Sequence, residues 1–194
     1  MQIKTEISDM CLNGGDVEQM ISAMACHIAN DDASARGPVL VGINAKGTAI
    51  ARRIARHMVL AHNVRPPIGR LDIAWRETAG DCAPGSSESA SSGRGCSRDV
   101  QSVDLPFCID DASLVVVDDV AFTGCTAKKA FEVLRGVGKP ASLQLATLVD
   151  RFSPNPVVRP DISGVQLDVP AHKMLLVFLE EIDGFSEVLV RRGW

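Results

Sequence analysis

The chain has 194 residues, 46% of them hydrophobic and 23% charged, with a formal net charge of −4. That is an ordinary globular composition, long enough to bury a core, and its acidic balance argues against a general nucleic-acid binder, although a local basic face is compatible with it. No apolar run approaches the roughly 20 residues of a membrane-spanning helix, and the opening MQIKTEISDMCLNGGD is too polar for a secretory signal, so a cytoplasmic protein with no membrane partner is expected.

Val17, Met20, Ile21, Met24 and Ile28 recur at helical spacing behind a capping-competent Asp16, which predicts a helix over 17–29. PVLVGI (38–43) is a short aliphatic run of the kind a buried parallel strand shows. After NAKG (44–47), the segment TAIARRIARHMVLA (48–61) carries Ile50, Ile54 and Met58 on one side and Arg52, Arg53 and Arg56 elsewhere, the pattern of an amphipathic helix. IGRLDIAW (68–75) reads as another strand.

From Thr78 to Arg98 the composition changes to six serines and four glycines with no large aliphatic residue. Such a stretch buries too little apolar surface to offset its ordering cost. It is expected to be a flexible insertion (78–98) within a single domain spanning 1–194, because strand–turn–helix grammar resumes directly after it.

SLVVVDD (113–119) is a predicted strand, and TAKKAFEVLRGVG (126–138) a predicted helix with Ala127, Ala130, Phe131, Leu134 and Val137 on one face. Gly138 and Pro140 end it. SLQLATLVD (142–150) follows as a strand, and two strand-like runs around Asp183-Gly184 predict a C-terminal hairpin. The alternation predicts an α/β fold: a central parallel sheet flanked by helices, with ligands gathered at the carboxyl ends of its strands. The six cysteines lack CxxC spacing and the four histidines lack ligand spacing, so free thiols and non-ligating histidines are expected.

The chemistry concentrates in LVVVDDVAFTGCT (114–126). A strand that turns directly into a helix presents unpartnered amides and the positive end of the helix dipole, which together cradle a phosphate. Gly124 would let the backbone approach closely, and Thr123 and Thr126 would add hydroxyl donors. Asp118 and Asp119, acceptors only when ionised, suit a pair of vicinal hydroxyls or a hydrated divalent cation. A ribose 5-phosphate satisfies both halves. A receiver-type acidic pocket would place its acids on the first strand, and a P-loop would need GxxxxGK[ST], which is absent. An incidental capped turn accounts for neither the doubled charge nor the Thr-Gly-x-Thr.

VVVDDVAFTGCT resembles the phosphoribosyl-pyrophosphate (PRPP) motif of type I phosphoribosyltransferases. GRLDI, DLPFCI, SLQLATLVDR and LEEIDG resemble the matching segments of its PyrR-type subfamily, the pyr operon regulators that are also uracil phosphoribosyltransferases. The likeness runs from about residue 36 to the C-terminus outside the insertion. It implies the type I phosphoribosyltransferase fold with a lid over the site, and conversion of uracil and PRPP to UMP and pyrophosphate with Mg2+.

The resemblance implies the following roles. Asp118 and Asp119 hold the ribose hydroxyls, with the metal nearby, and Asp72 is a further metal candidate. Ala121, Phe122, Thr123, Gly124, Cys125 and Thr126 wrap the 5-phosphate. Ala45, Lys46 and Gly47 stand where the family binds pyrophosphate, with Lys46 as the basic group. Arg76 is the nearest counterpart of the flap arginine, although DIAWRETA is shorter and less charged than the family's segment. Asp150 and Arg151 meet the base, largely through backbone. Purine-specific relatives carry an acid where this chain has Phe122, which favours a pyrimidine, whereas the proline-rich FSPNPVVRPD departs from the family and leaves the base open. The family also binds the pyr mRNA leader through a basic face built partly from its N-terminal helix, and it forms homo-oligomers, dimers or larger. Here that helix has no Lys or Arg, and Arg52, Arg53 and Arg56 are the substitute cluster. A catalytically weak nucleotide-sensing regulator, with Cys125 in the phosphate loop, and a transferase for another base are the alternatives.

Overall fold

The computed structural model describes residues 10–31, 37–75, 98–170 and 172–192. The lid reading of 78–98 and the assignment of Arg76 lie outside the described residues, apart from Arg98 at the start of a strand.

Nine strands and four helices occur among the described residues. The first strand, β1 (Met10–Leu12), leads into α1 (Gly14–Asp31), which begins earlier than the apolar spacing predicts. Asn13, not Asp16, caps it. The Asn13 Oδ1 accepts from the amides of Gly15 (2.8 Å) and Asp16 (3.2 Å), while Asp16 Oδ2 accepts from the Asn13 amide at 2.9 Å. This reciprocal pairing satisfies amides that the helix itself cannot, so the helix starts at Gly14 despite its two glycines.

Next come β2 (Pro38–Ile43), α2 (Asn44–His62), β3 (Ile68–Trp75), β4 (Arg98–Asp104), β5 (Ser113–Ala121), α3 (Cys125–Val137), β6 (Ser142–Arg151) and β7 (Ile162–Leu167). They build a six-stranded sheet in the order β4-β3-β2-β5-β6-β7. All its pairings are parallel except β3–β4. One buried layer packs α1 and α2 on the sheet through Ile21, Met24, Ile50, Ile54, Met58, Val115 and Val117. The opposite layer packs α3 through Ala127, Ala130 and Leu134 against Val41, Ile43, Leu114 and Val116. The near-continuous burial of β2 is what a parallel strand covered on both faces requires.

The expected C-terminal hairpin is present as β8 (Lys173–Phe178) and β9 (Glu187–Arg192), joined by the one-turn α4 (Glu180–Asp183), which closes at Gly184 with φ 81°. With β1 they form a separate antiparallel sheet, β1-β9-β8. Val177, Leu179, Val188 and Val190 join it to the α1/α2 core layer. Three strands escaped the sequence reading: β1, too short to show a pattern; β4, whose exposed residues lack apolar alternation; and β7, which contains Gly164.

Candidate active site at the β2–β5 crevice

The chain runs from β2 to β3 on one side and later returns to β5 on the other side of β2. Strand order therefore reverses between β2 and β5, and a crevice opens beyond their carboxyl ends, the usual ligand position in such sheets. The β2–β5 ladder stops at Gly42↔Val117, but β5 continues against β6 through Asp118↔Thr147, Val120↔Val149 and Ala121↔Asp150. Asp118 and Asp119 thus lie inside the strand rather than at its end, in the stretch that has lost β2 as a neighbour. Before the pair, Val115 and Val117 face one core layer and Leu114 and Val116 the other. After it the parity is exchanged, with Val120 against the first layer and Ala121 in the second. The irregularity sits at the aspartates, where the Asp119 amide bonds the Asp118 Oδ1 at 2.9 Å.

Two strand-to-helix junctions flank the pair. In the first, NAKG is not a loop before a helix; it is the first turn of α2. Asn44 takes a left-handed conformation (φ 55°), which asparagine tolerates. Its side chain continues the ladder to β3, accepting from the Ile73 amide (2.8 Å) and donating to the Ile73 carbonyl (3.2 Å). A Cβ on Gly47 would fall 2.3 Å from the Val117 carbonyl oxygen and 3.3 Å from the Asp118 Cα. The absence of a side chain therefore lets the helix start lie directly on β5 at the acidic pair. The Lys46 amine reaches the small sheet, donating to the Val177 carbonyl and standing 4.0 Å from an Asp183 carboxylate oxygen.

In the second junction, Gly124 adopts φ +75° immediately before α3. The closeness it permits is not to open space: a Cβ there would lie 2.2 Å from the Val158 carbonyl oxygen. The loop after β6 fills that side and is pinned by the Val157 amide to the Thr123 carbonyl at 2.8 Å. The expected reason for this glycine, room for a ligand, is thus replaced by packing of a neighbouring loop. α3 bonding begins with the Lys128 amide to the Gly124 carbonyl (2.9 Å), so the Thr126 and Ala127 amides precede the first helical bond. The helix carries no acidic residue in its own first turn and no side-chain cap, so its positive end is not offset from within the helix. Thr123 is exposed and Thr126 half-buried. Cys11, Cys26 and Cys108 are free as expected, but Cys125 is disulfide-bonded, which a chain without CxxC spacing gives no hint of.

The structure brings Ala45–Gly47, Asp118, Asp119, Ala121–Thr126 and Asp150 to one end of the sheet. The Asp150 carboxylate accepts from Gln166 on β7 at 2.7 Å. Arg151 does more than present backbone: its guanidinium lies 4.6 Å from the centre of the Phe122 ring and donates to carbonyls of the segment leading into β8. Asp72 fits a metal role poorly. Its Oδ1 is held by Arg70 (2.7 and 2.8 Å) and its Oδ2 by Ser102 (2.7 Å), which keeps the carboxyl below the usual aspartate range. A cation there would have to displace the guanidinium. Among the described residues no three or more His, Cys, Asp or Glu side chains are grouped to bind a metal, so an ion at the crevice would draw most of its ligands from the substrate, with Asp118 and Asp119 beside it. Sequence reading missed Asn44 as the anchor of the first junction and Val157–Val158 as the support of the second; only the tolerance of Asn for left-handed backbone hinted at the former.

The basic cluster on α2 is smaller than it reads. Arg53 forms a bidentate pair with Glu181 (2.7 and 2.6 Å) and a further bond to Ser186 (3.0 Å), and its side chain is 12% exposed. Only Arg52 and Arg56 of the three are left to face outward.

Residues 9–172 match the phosphoribosyl transferase domain family. The chain is 32% identical over 183 residues to a Chloroflexus aurantiacus protein named bifunctional protein PyrR, covering 94% of each. It is 34% identical over 174 residues to the Roseiflexus bifunctional protein PyrR, covering 89% of this chain and 88% of the relative. In fold it is similar to the hypoxanthine phosphoribosyl transferase of Trypanosoma cruzi, with a TM-score of 0.70 at 15% identity over 98% of this chain and 95% of that one. The crevice of paired acids between two helix starts thus sits on a fold of this kind, and the chain belongs to the phosphoribosyltransferase family, in its PyrR type.

Proposed function

We propose that the chain transfers the ribose 5-phosphate of PRPP to uracil, giving UMP and pyrophosphate. The observation that carries this reading is the seating of Gly47 against Asp118, which sets one helix start beside the acidic pair while the same strand leads three residues later into the other. Two anion sites on either side of a diol-binding pair match a sugar with phosphate groups at both ends.

In this reading Asp118 and Asp119 accept hydrogen bonds from the ribose hydroxyls. The Thr126 and Ala127 amides, with the Thr123 and Thr126 hydroxyls, hold the 5-phosphate. Lys46, fixed by the Val177 carbonyl and Asp183, sets positive charge beside the departing diphosphate. Arg76 remains the candidate for a second cation there. Bound Mg2+ would neutralise the diphosphate, next to Asp118 and Asp119. The protein makes no covalent bond; it supplies orientation and charge, effects that together can contribute several kcal/mol. Phe122, in place of an acid, gives a purine no charged acceptor, which supports a pyrimidine as the base.

Pyrophosphate release from PRPP with a panel of bases tests the reading. Uracil is expected to be consumed well ahead of hypoxanthine and guanine. Release with a purine alone, or with no base, would overturn it. The relatives are named bifunctional, and binding of a pyr mRNA leader is the second reading. Arg52, Arg56 and the exposed Arg191 and Arg192 offer few phosphate contacts, so any such affinity should be weak and fall steeply with salt in a filter-binding assay.

A further inference from the structure

The side chain of Arg151 is at odds with a substrate-binding arginine. Its Nε is fully buried and has no acceptor among the described residues. One terminal nitrogen is shared among the carbonyls of Val169 (3.4 Å), Pro170 (3.2 Å) and Lys173 (3.5 Å), all on the segment entering the small sheet. Burial also lowers its pKa from the ordinary arginine value. A desolvated cation held this way needs another partner, and among the described residues the ring of Phe122 supplies one, 4.6 Å from the guanidinium carbon.

Phe122 belongs to the turn that begins the second junction, directly after the Ala121↔Asp150 pair. A large apolar ring would ordinarily be buried, yet it is 45% exposed. Phe152 and Val157 are also exposed, at 38% and 56%, and the Val157 amide is bonded to the residue after Phe122. One face of the ring is therefore held by a planar cation while, among the described residues, nearly half of the residue stays exposed, next in the chain to the acidic pair and the helix start.

We propose that Arg151 is a positioning residue: it fixes Phe122 as a stacking platform for the flat heteroaromatic ring of the substrate, and it does not bind that ring itself. A guanidinium behind an aromatic ring attracts its electron-rich face and restricts its rotation. A pre-set ring gives a base a stacking surface at low entropic cost. The same arginine links the platform to the entry of the small sheet. This proposal rests on the pyrimidine reading above for the identity of the ring.

The test compares binding of UMP with binding of ribose 5-phosphate, which lacks the base, by titration calorimetry. Phe122→Leu should weaken UMP by about tenfold, the scale of one base–aromatic stack, while ribose 5-phosphate binds within twofold of the original protein. Phe122→Tyr should restore UMP binding. Arg151→Gln should weaken UMP to a similar or smaller degree, and the double variant should be no worse than Phe122→Leu alone, because Arg151 acts through that ring. Thermal melts accompany each protein; Phe122→Leu, at an exposed position, keeps the test open if Arg151→Gln does not fold. The proposal is overturned if ribose 5-phosphate weakens in parallel with UMP, if the two substitutions are additive, or if UMP gains nothing over ribose 5-phosphate in the unaltered protein. If no base is turned over while the UMP pattern holds, the transferase reading fails and this one stands.

Discussion

The two strand-to-helix junctions use the same ingredients to different ends. The first is closed by long-range ties, although Asn44 and Ala45 are exposed: Asn44 is laced to β3, Gly47 lies on the backbone of β5, and Lys46 is drawn to the small sheet. At the second, Phe122 and Thr123 stay exposed and the glycine rests on a loop rather than on a strand. A closed turn suits a group that must be met with fixed charge and then released. An open turn with free amides suits a phosphate that enters and leaves with the substrate and product. On the proposed reading, one sheet end would treat the two phosphate-bearing ends of its substrate unequally.

Removing what lies between the junctions should have the largest effect. Asp118→Asn with Asp119→Asn deletes two charge-assisted acceptors, each worth about 1.5–3 kcal/mol, so PRPP affinity should fall by roughly 10²–10⁴-fold. Calorimetry in Mg2+ buffer reads this, with circular dichroism expected to report an intact fold. Unchanged affinity would dissolve the comparison, since neither junction would then border a ribose site.

The glycines come next and test whether one junction is the stiffer. Gly124→Ala must adopt a left-handed conformation, at about 1–2 kcal/mol, and must also displace the Val158 backbone. A total loss of about 2–4 kcal/mol in denaturant unfolding is expected. Gly47→Ala gains helix propensity but drives a methyl into the Val117 carbonyl, for a net loss of about 1–3 kcal/mol. Its effect on pyrophosphate affinity should exceed that of Gly124→Ala, because a strand yields less than a loop. Equal effects would mean that the two junctions differ in appearance only.

Much of this arrangement was legible in the sequence, for reasons that also mark its limits. The aliphatic runs of β2 and β5 and the apolar stripe of α3 are local signals, and they placed these elements within a few residues. The doubled aspartate with Thr-Gly-x-Thr identified the second junction because that chemistry is contiguous. What failed was non-local. Gly124 reads as room for a ligand until Val158, 34 positions on, is seen beside it. Asn44 bonds a residue 29 positions away, and Arg53 reads as a surface charge until Glu181, 128 positions on, takes it up. Backbone-to-backbone packing and long-range ion pairs leave no periodicity behind.

Asn44 supplies a smaller and more local break. Asn44→Ala removes both bonds to Ile73, leaves that amide without its acceptor, and puts alanine, which tolerates the left-handed region less well than asparagine, at φ 55°. A loss of about 1–3 kcal/mol is expected in the unfolding midpoint. Asn44→Gly should recover the conformational part of that loss but not the hydrogen bonds. If alanine and glycine cost the same, the left-handed turn contributes nothing and the lacing to β3 accounts for the whole effect.

The smallest expected effect is electrostatic and concerns how the first junction is tied to the small sheet. Arg53, on the helix that begins at that junction, pairs with Glu181 and holds its carboxyl below the usual glutamate range. A carboxyl lowered on folding binds fewer protons in the native state than in the unfolded chain. Its contribution is therefore complete above the ordinary glutamate value of 4.5 and disappears as the pH falls through the lower native value. Glu181 is 47% exposed, so screening limits the pair to about 0.2–1 kcal/mol, or roughly 1–3 °C in the melting temperature. The unaltered protein and Glu181→Gln should melt apart by that margin at neutral pH and converge in acid, and high salt should narrow the gap. The Arg151–Phe122 tie at the second junction involves no carboxylate and should show no such convergence when Phe122→Leu is melted over the same pH range. A parallel pH response in both variants would mean that the two ties share one electrostatic origin, against the contrast between a charged closed junction and an aromatic open one.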